Sequence, residues 1–213
     1  VASHLGALAN CYNKLGRLQA VAGDFAAAQA SYQQGVTIGA KLVAENPTVA
    51  EHQSALAESY DSLGIQQSYA GGFDAARSSH ARALELRERL AAEHPNVAEH
   101  RQALAMSHNN LALLQTNLGE LTAARASYQR SLEICGRLAA DNPGEAEYQD
   151  NLARYLNNLG LLQANTGEAA DARESFQRAI KIQEQLVTAN PTQLVCQDAL
   201  ASALLNLAVL HAQ

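Results

Sequence analysis

Between residues 96 and 143, Leu104, His108, Leu111 and Gln115 recur at three- and four-residue spacing, which is the period of a helix. Gly119 then interrupts the pattern and is well placed as the left-handed residue that ends a helix. A second run, Ala124, Tyr128, Leu132, Ile134 and Leu138, makes another apolar face. Asn142-Pro143 closes it, since Asn tolerates the left-handed conformation and Pro cannot continue a helix. At the start, Asn96 followed three residues later by Glu99 gives a capping-box pattern, which Thr48 and Glu51 repeat upstream. The spacing predicts helix, tight turn, helix, tight turn.

The same unit recurs along the chain without a slip of register. A Leu followed by a small residue stands at Leu15-Gly16, Leu63-Gly64, Leu111-Ala112, Leu159-Gly160 and Leu207-Ala208, in steps of 48 residues. Pro47, Pro95, Pro143 and Pro191 keep that step, as do Gly23, Gly71, Gly119 and Gly167. Ala28, Ala76, Ala124 and Ala172, and Ser31, Ser79, Ser127 and Ser175, form two further ladders in phase. The expected organisation is one array over residues 1–213, with repeats at about 1–47, 48–95, 96–143 and 144–191 and a terminal helix over about 192–213. Short connections make neighbouring helices antiparallel, and neither helix of a pair buries its stripe alone, so the pairs must stack. The terminal helix is still apolar, with Leu200, Leu204, Leu205, Leu207, Val209 and Leu210.

The run Leu63-Gly64, Gly71, Ala76, His80, Ala83-Leu84 resembles the tetratricopeptide repeat, whose aromatic position is met by Tyr32, Tyr128 and Phe176, with His80 as the departure. Asn109-Asn110-Leu111-Ala112-Leu113-Leu114, the later Tyr128 to Ile134 segment and the His94-Pro95 opening are similar to the kinesin-light-chain subclass of that family. The resemblance implies an all-α fold, a right-handed α-solenoid of antiparallel helix pairs, in which first helices line a concave groove for a protein or peptide ligand. It implies no enzyme activity and no cofactor. The usual repeat is about 34 residues. The extra residues here amount to about four helical turns, which predicts helices of about 20–22 residues. Glu88 stands where the family carries a Pro late in the second helix, so that helix can run on to His94-Pro95.

Composition narrows the function class. The chain of 213 residues is 47% hydrophobic but only 5% aromatic, with no Trp, which suits closely packed helices. A formal net charge of −6 and scattered Lys and Arg offer no basic stripe for nucleic acid. Apolar stretches are too short to span a bilayer, and no signal-peptide pattern opens the chain. Val1 in place of Met points to a segment of a longer protein. Cys11, Cys135 and Cys196 are odd in number and far apart, which fits a reducing, cytoplasmic setting and semi-buried side chains.

The groove that the resemblance implies maps onto four rows of first-helix positions. These are Asn13, Asp61, Asn109, Asn157 and Leu205; Lys14, Ser62, Asn110, Asn158 and Asn206; Arg17, Ile65, Leu113, Leu161 and Val209; and Val21, Tyr69, Asn117, Asn165 and Gln213. An Asn amide both donates and accepts, so a ladder of them can bond an extended peptide backbone without demanding one sequence. The same Asn can instead cap, bridge helices or solvate the face. Arg17 and Arg154 can receive a carboxylate or stay solvated, and the third row can be an apolar floor or a packing surface. His52 and His100 hold equivalent positions continued by Tyr148 and Cys196, but a whole repeat separates them, too far for ligands of one metal ion. No GxSxG, phosphate-cradling Gly loop or HExxH is present. Glu85 and Arg89 fit an exposed pair on the outer helix. The expected function is a non-catalytic scaffold for a protein or peptide, without nucleic-acid or membrane binding. A self-associating or spacer solenoid, contact with the rest of a longer chain, and the regulatory array of a larger signalling enzyme are the alternatives.

Overall fold

The computed structural model describes residues 2–189 and 194–212. Among the described residues there are nine α-helices and no strand: α1 (Ala2–Val21), α2 (Phe25–Glu45), α3 (Ala50–Tyr69), α4 (Phe73–Glu93), α5 (Ala98–Asn117), α6 (Leu121–Asp141), α7 (Ala146–Asn165), α8 (Ala169–Ala189) and α9 (Leu194–His211). The first eight are 20 or 21 residues long, as the lengthened repeat requires. Pro191 and Gln213 lie outside the described residues.

The turn inside each pair is set by glycine. Gly23, Gly71, Gly119 and Gly167 all have φ between 73° and 82°. The following residue returns its amide to the last helical turn (Asp24 to Gln19, Gly72 to Gln67, Glu120 to Gln115, Glu168 to Gln163), and the glycine amide bonds three residues back. This is the double bond pattern that satisfies orphan carbonyls at a helix end.

The turns between pairs correct two sequence expectations. Asn46 and Asn142 are not left-handed: their φ values are −139° and −131°. The Pro that follows each of them excludes helical backbone and drives it toward extended geometry. The amide side chains still finish the helix, donating to the carbonyls of Leu42 (3.4 Å) and Leu138 (2.9 Å). The capping boxes are also displaced. The α3 helix starts from Val49, which has no side-chain cap, so Thr48 is one residue too early. Likewise α5 begins at Ala98, two residues past Asn96.

The chain divides into two compact units, Val1–Leu114 and Gln115–Gln213, with the boundary inside α5. In the first unit the core gathers Ala28, Tyr32, Val36, Leu56, Ala57, Leu63 and Leu86. In the second, Ala153, Leu156, Ala179, Ile180 and Ala203 form one cluster, and Ala172, Phe176 and Leu210 another. The small residue after each repeated Leu is a seat for a ring. A Cβ added at Gly16 would come within 2.8 Å of the Tyr32 ring, and one at Gly160 within 2.6 Å of the Phe176 ring. The Ser ladder has a cause too: Ser31, Ser79, Ser127 and Ser175 donate to Gln19, Gln67, Gln115 and Gln163 at 2.7–2.8 Å, tying the two helices of each pair together.

Candidate ligand-binding face

In the first unit the first of the four expected rows is buried. Asn13, Asp61 and Asn109 keep 4%, 3% and 6% of their accessible surface. Asn13 accepts a hydrogen bond from the Ser59 hydroxyl at 2.9 Å. Asp61 accepts from Arg87 at 2.5 Å and from the Ser107 hydroxyl at 2.8 Å, and lies 2.9 Å from Nδ1 of His80. Arg87 also donates to the Ala103 carbonyl and the Ser107 oxygen, both at 2.8 Å. Asn13 and Asp61 thus face neighbouring helices, where buried polar groups find their partners. Of that row in the second unit, Asn157 is half-buried and accepts from Asn206 at 2.9 Å, while Leu205 is exposed.

The open face lies one residue further round each first helix. On α1 it carries Asn10, Lys14, Arg17 and Val21, all exposed. On α3 it carries Glu58, Ser62, Ile65 and Tyr69, of which Ser62 and Ile65 are half-buried. The part of α5 in the first unit adds exposed Met106, half-buried Asn110 and exposed Leu113. In the second unit Asn117 is exposed, and α7 presents Arg154, Asn158, Leu161 and Asn165, with only Asn158 half-buried. On α9 exposed Ser202 and Val209 flank half-buried Asn206. Spacing of four, three and four residues keeps these side chains on one stripe of the helix. Leu113 and Leu161 remain 42% and 39% exposed, so the third row is not consumed by packing. Sequence reasoning missed Asn10, Glu58, Met106 and Ser202, although counting four residues back from Lys14, Ser62, Asn110 and Asn206 finds them.

The structure also gives side chains on this face local partners. Arg154 donates to Asn151, and its guanidinium lies 5.6 Å from the centre of the Tyr155 ring. The Tyr69 ring sits 6.3 Å from that of Phe25. The outer helices carry ion pairs instead: Glu85 with Arg82 and Arg89, and Glu133 with Arg130 and Arg137. The hydrogen bond from Arg130, aided by the charges of Arg130 and Arg137, holds the Glu133 carboxyl below its ordinary value. Burial pushes the Cys135 thiol up to about 12, so it is a packed neutral group that donates to the Tyr148 carbonyl.

Among the described residues no three His, Cys, Asp or Glu side chains converge as metal ligands. His52 and His100 are half-buried, and Tyr148 and Cys196 are buried. No described helix is long and apolar enough to cross a membrane. Two cavities open beside first helices. One of about 500 Å³ lies among α1, α2 and α3, reaching Asn10, Gly39 and His52. The other, of about 240 Å³, lies among α7, α8 and α9, reaching Arg154, Gln183 and Ser202.

Helix pairs of constant length, closed by left-handed glycines and seated ring on small residue, define an all-α helical-repeat protein. Residues 104–143 and 153–186 each match a family model described as the tetratricopeptide repeat. These two segments are tetratricopeptide repeats. The fold of the chain is similar to that of BtubC (BKLC) from P. vanneervenii, with a TM-score of 0.73 and 24% identity over 98% of this chain and 73% of that one. The Podosopora anserina "putative kinesin light chain nearly identical TPR-like repeats" has a TM-score of 0.59 and 18% identity, over 95% of this chain and 96% of that one. Those likenesses are of fold. No curated protein sequence matches the chain.

Proposed function

We propose that this chain is a non-catalytic interaction scaffold that holds a segment of another protein along the exposed stripe of its first helices. One observation carries the reading. On α5 and α7 an amide stands beside an exposed aliphatic side chain on that stripe, half-buried Asn110 beside Leu113 and half-buried Asn158 beside Leu161. Amides can bond an extended backbone while the leucines take apolar side chains, and this combination is sequence-tolerant. Buried Asn13, Asp61 and Asn109 are then structural supports rather than contacts, whereas Arg17, Tyr69, Asn117, Arg154 and Asn165 remain on the ligand side.

Selection of peptides from a displayed random library against the intact chain tests this. Selected peptides should bind the Leu113→Glu, Leu161→Glu double variant at least about tenfold more weakly. Arg130→Ala, on an outer helix, should leave binding unchanged. Peptides that bind the double variant as tightly as the parent would sink the assignment of the face.

A second reading has its own observation. Leu18 on α1 is 69% exposed and Leu204 on α9 is 46% exposed, while the repeat-equivalent Leu162 and Leu156 are each 1% exposed. Repeat arrays whose terminal helices are apolar can associate end to end. Sedimentation velocity over a range of concentrations decides this, and a concentration-independent monomer removes it.

A further inference from the structure

The larger cavity exists because two side chains are missing from the first repeat. In the fourth repeat Gln183 donates to Asp150 at 2.9 Å, and the cavity at the equivalent place is about 240 Å³, half the size. The equivalent positions in the first repeat are Gly39 and Gly6. In the second repeat the position of Gly39 is Arg87, whose guanidinium is held by Asp61, the Ala103 carbonyl and Ser107. The first repeat has Asn13, Ala55 and Ser59 at the matching positions; Ser59 bonds Asn13, and of the three only Ala55 lines the cavity. The cavity is about 500 Å³, a size that accepts a large side chain. Its apolar wall includes Leu42, and its polar groups are Asn10, Glu51 and His52, with no Lys or Arg among the lining residues. Nδ1 of His52 is buried without a partner among the described residues.

We propose that this cavity receives the guanidinium of an arginine side chain presented by the bound segment. The aliphatic stem lies against Leu42 and the neighbouring alanines. The planar head meets Glu51 and the amide oxygen of Asn10. A delocalised, weakly hydrated guanidinium suits a half-enclosed acceptor site better than an ammonium. The proposal rests on the first-helix stripe being the ligand face, since Asn10 belongs to both.

The test uses the whole ¹⁵N-labelled chain titrated with N-acetyl-arginine amide, with the citrulline and norleucine amides as comparators. The amide signals of Gly6 and Gly39 should move with the arginine compound and need at least about tenfold more of the neutral, isosteric citrulline to move as far. Glu51→Gln should weaken the response about tenfold. Gly6→Gln should abolish it. That variant is compatible with folding because a Cβ at Gly6 meets nothing within 4 Å, unlike one at Gly39, which would press on Leu56 at 3.1 Å. No movement at Gly6 and Gly39 up to about 50 mM arginine amide, equal response to citrulline, or an unaltered response in Gly6→Gln would each overturn the proposal. The readout needs no peptide, so loss of the stripe assignment in the display experiment and loss of this site are separate results.

Discussion

The two units solve one packing problem with different chemistry. At the ring seat of the second repeat stands His80, joined to Asp61, and Arg87 reaches the same carboxylate from about two turns along α4. At the ring seat of the fourth repeat stands Phe176 against Gly160, and Gln183 takes the place of Arg87. Backbone register is the same in both, so the ladder of Leu, Gly, Ala and Ser dictates the scaffold and leaves the filling negotiable. An ionic filling is demanding: every member must be satisfied, and a half-satisfied set is worse than an apolar one.

The largest expected effect follows from that demand. Asp61→Ala leaves Arg87 buried without its carboxylate and should cost about 3–5 kcal/mol by urea denaturation. Asn157→Ala, at the equivalent position in the second unit, removes one neutral bond from a half-buried site and should cost about 1 kcal/mol or less. Equal costs would end the contrast. The converse experiment replaces the whole ionic set by the fourth repeat's residues, Asp61→Asn, His80→Phe and Arg87→Gln together. Stability should be unchanged or higher by about 1–4 kcal/mol, and a triple variant less stable than the parent would show that the network is needed for more than filling space.

Alkaline pH comes next: burial raises the pKa of the Tyr32 hydroxyl in the first unit, and the larger shifts lie in the second. Burial holds the Cys135 thiol at about 12 against an ordinary 9.0, and the Tyr128 hydroxyl at about 12 against 10.0, both in the second unit. Each group is neutral in the folded state while its unfolded counterpart ionises first. The unfolded chain therefore binds fewer protons between the two values, and stability falls as pH rises through that window. Cys135 alone should account for a loss of about 1 kcal/mol by pH 10 relative to pH 8. Cys135→Ala should flatten that part of the profile, and an unchanged slope would remove the thiol from the account.

Fold and face were not equally legible in the amino-acid pattern. The 48-residue ladder encodes helix length, turn glycines and ring seats redundantly, so the architecture could be read from it. The face could not, because Asn109 and Asn110 are the same residue type about 100° apart on one helix. Composition does not say which of two neighbouring Asn is buried. That is settled by partners far away in sequence, such as Ser59 for Asn13. Arg87 and Arg89 pose the same problem: two residues apart, one is buried on Asp61 and the other pairs with Glu85 at the surface. The cavity was hidden for a further reason. Gly6 and Gly39 acquire meaning only beside Asp150 and Gln183, a pairing across two helices that no local motif records.

The smallest effect probes what the units share. Ser79 and Ser175 are both buried, and each donates to a Gln of the partner helix at 2.7 Å. Replacing either by Ala removes one neutral hydrogen bond and leaves a Gln carbonyl without that donor, a cost of about 0.5–1.5 kcal/mol. Because the bond belongs to the common scaffold, Ser79→Ala and Ser175→Ala should cost the same to within about 0.5 kcal/mol despite the different cores around them. Urea denaturation of the two variants checks this. A clearly larger cost for Ser79→Ala would mean that the ionic filling of the first unit couples to the ladder, and that scaffold and filling are not independent after all.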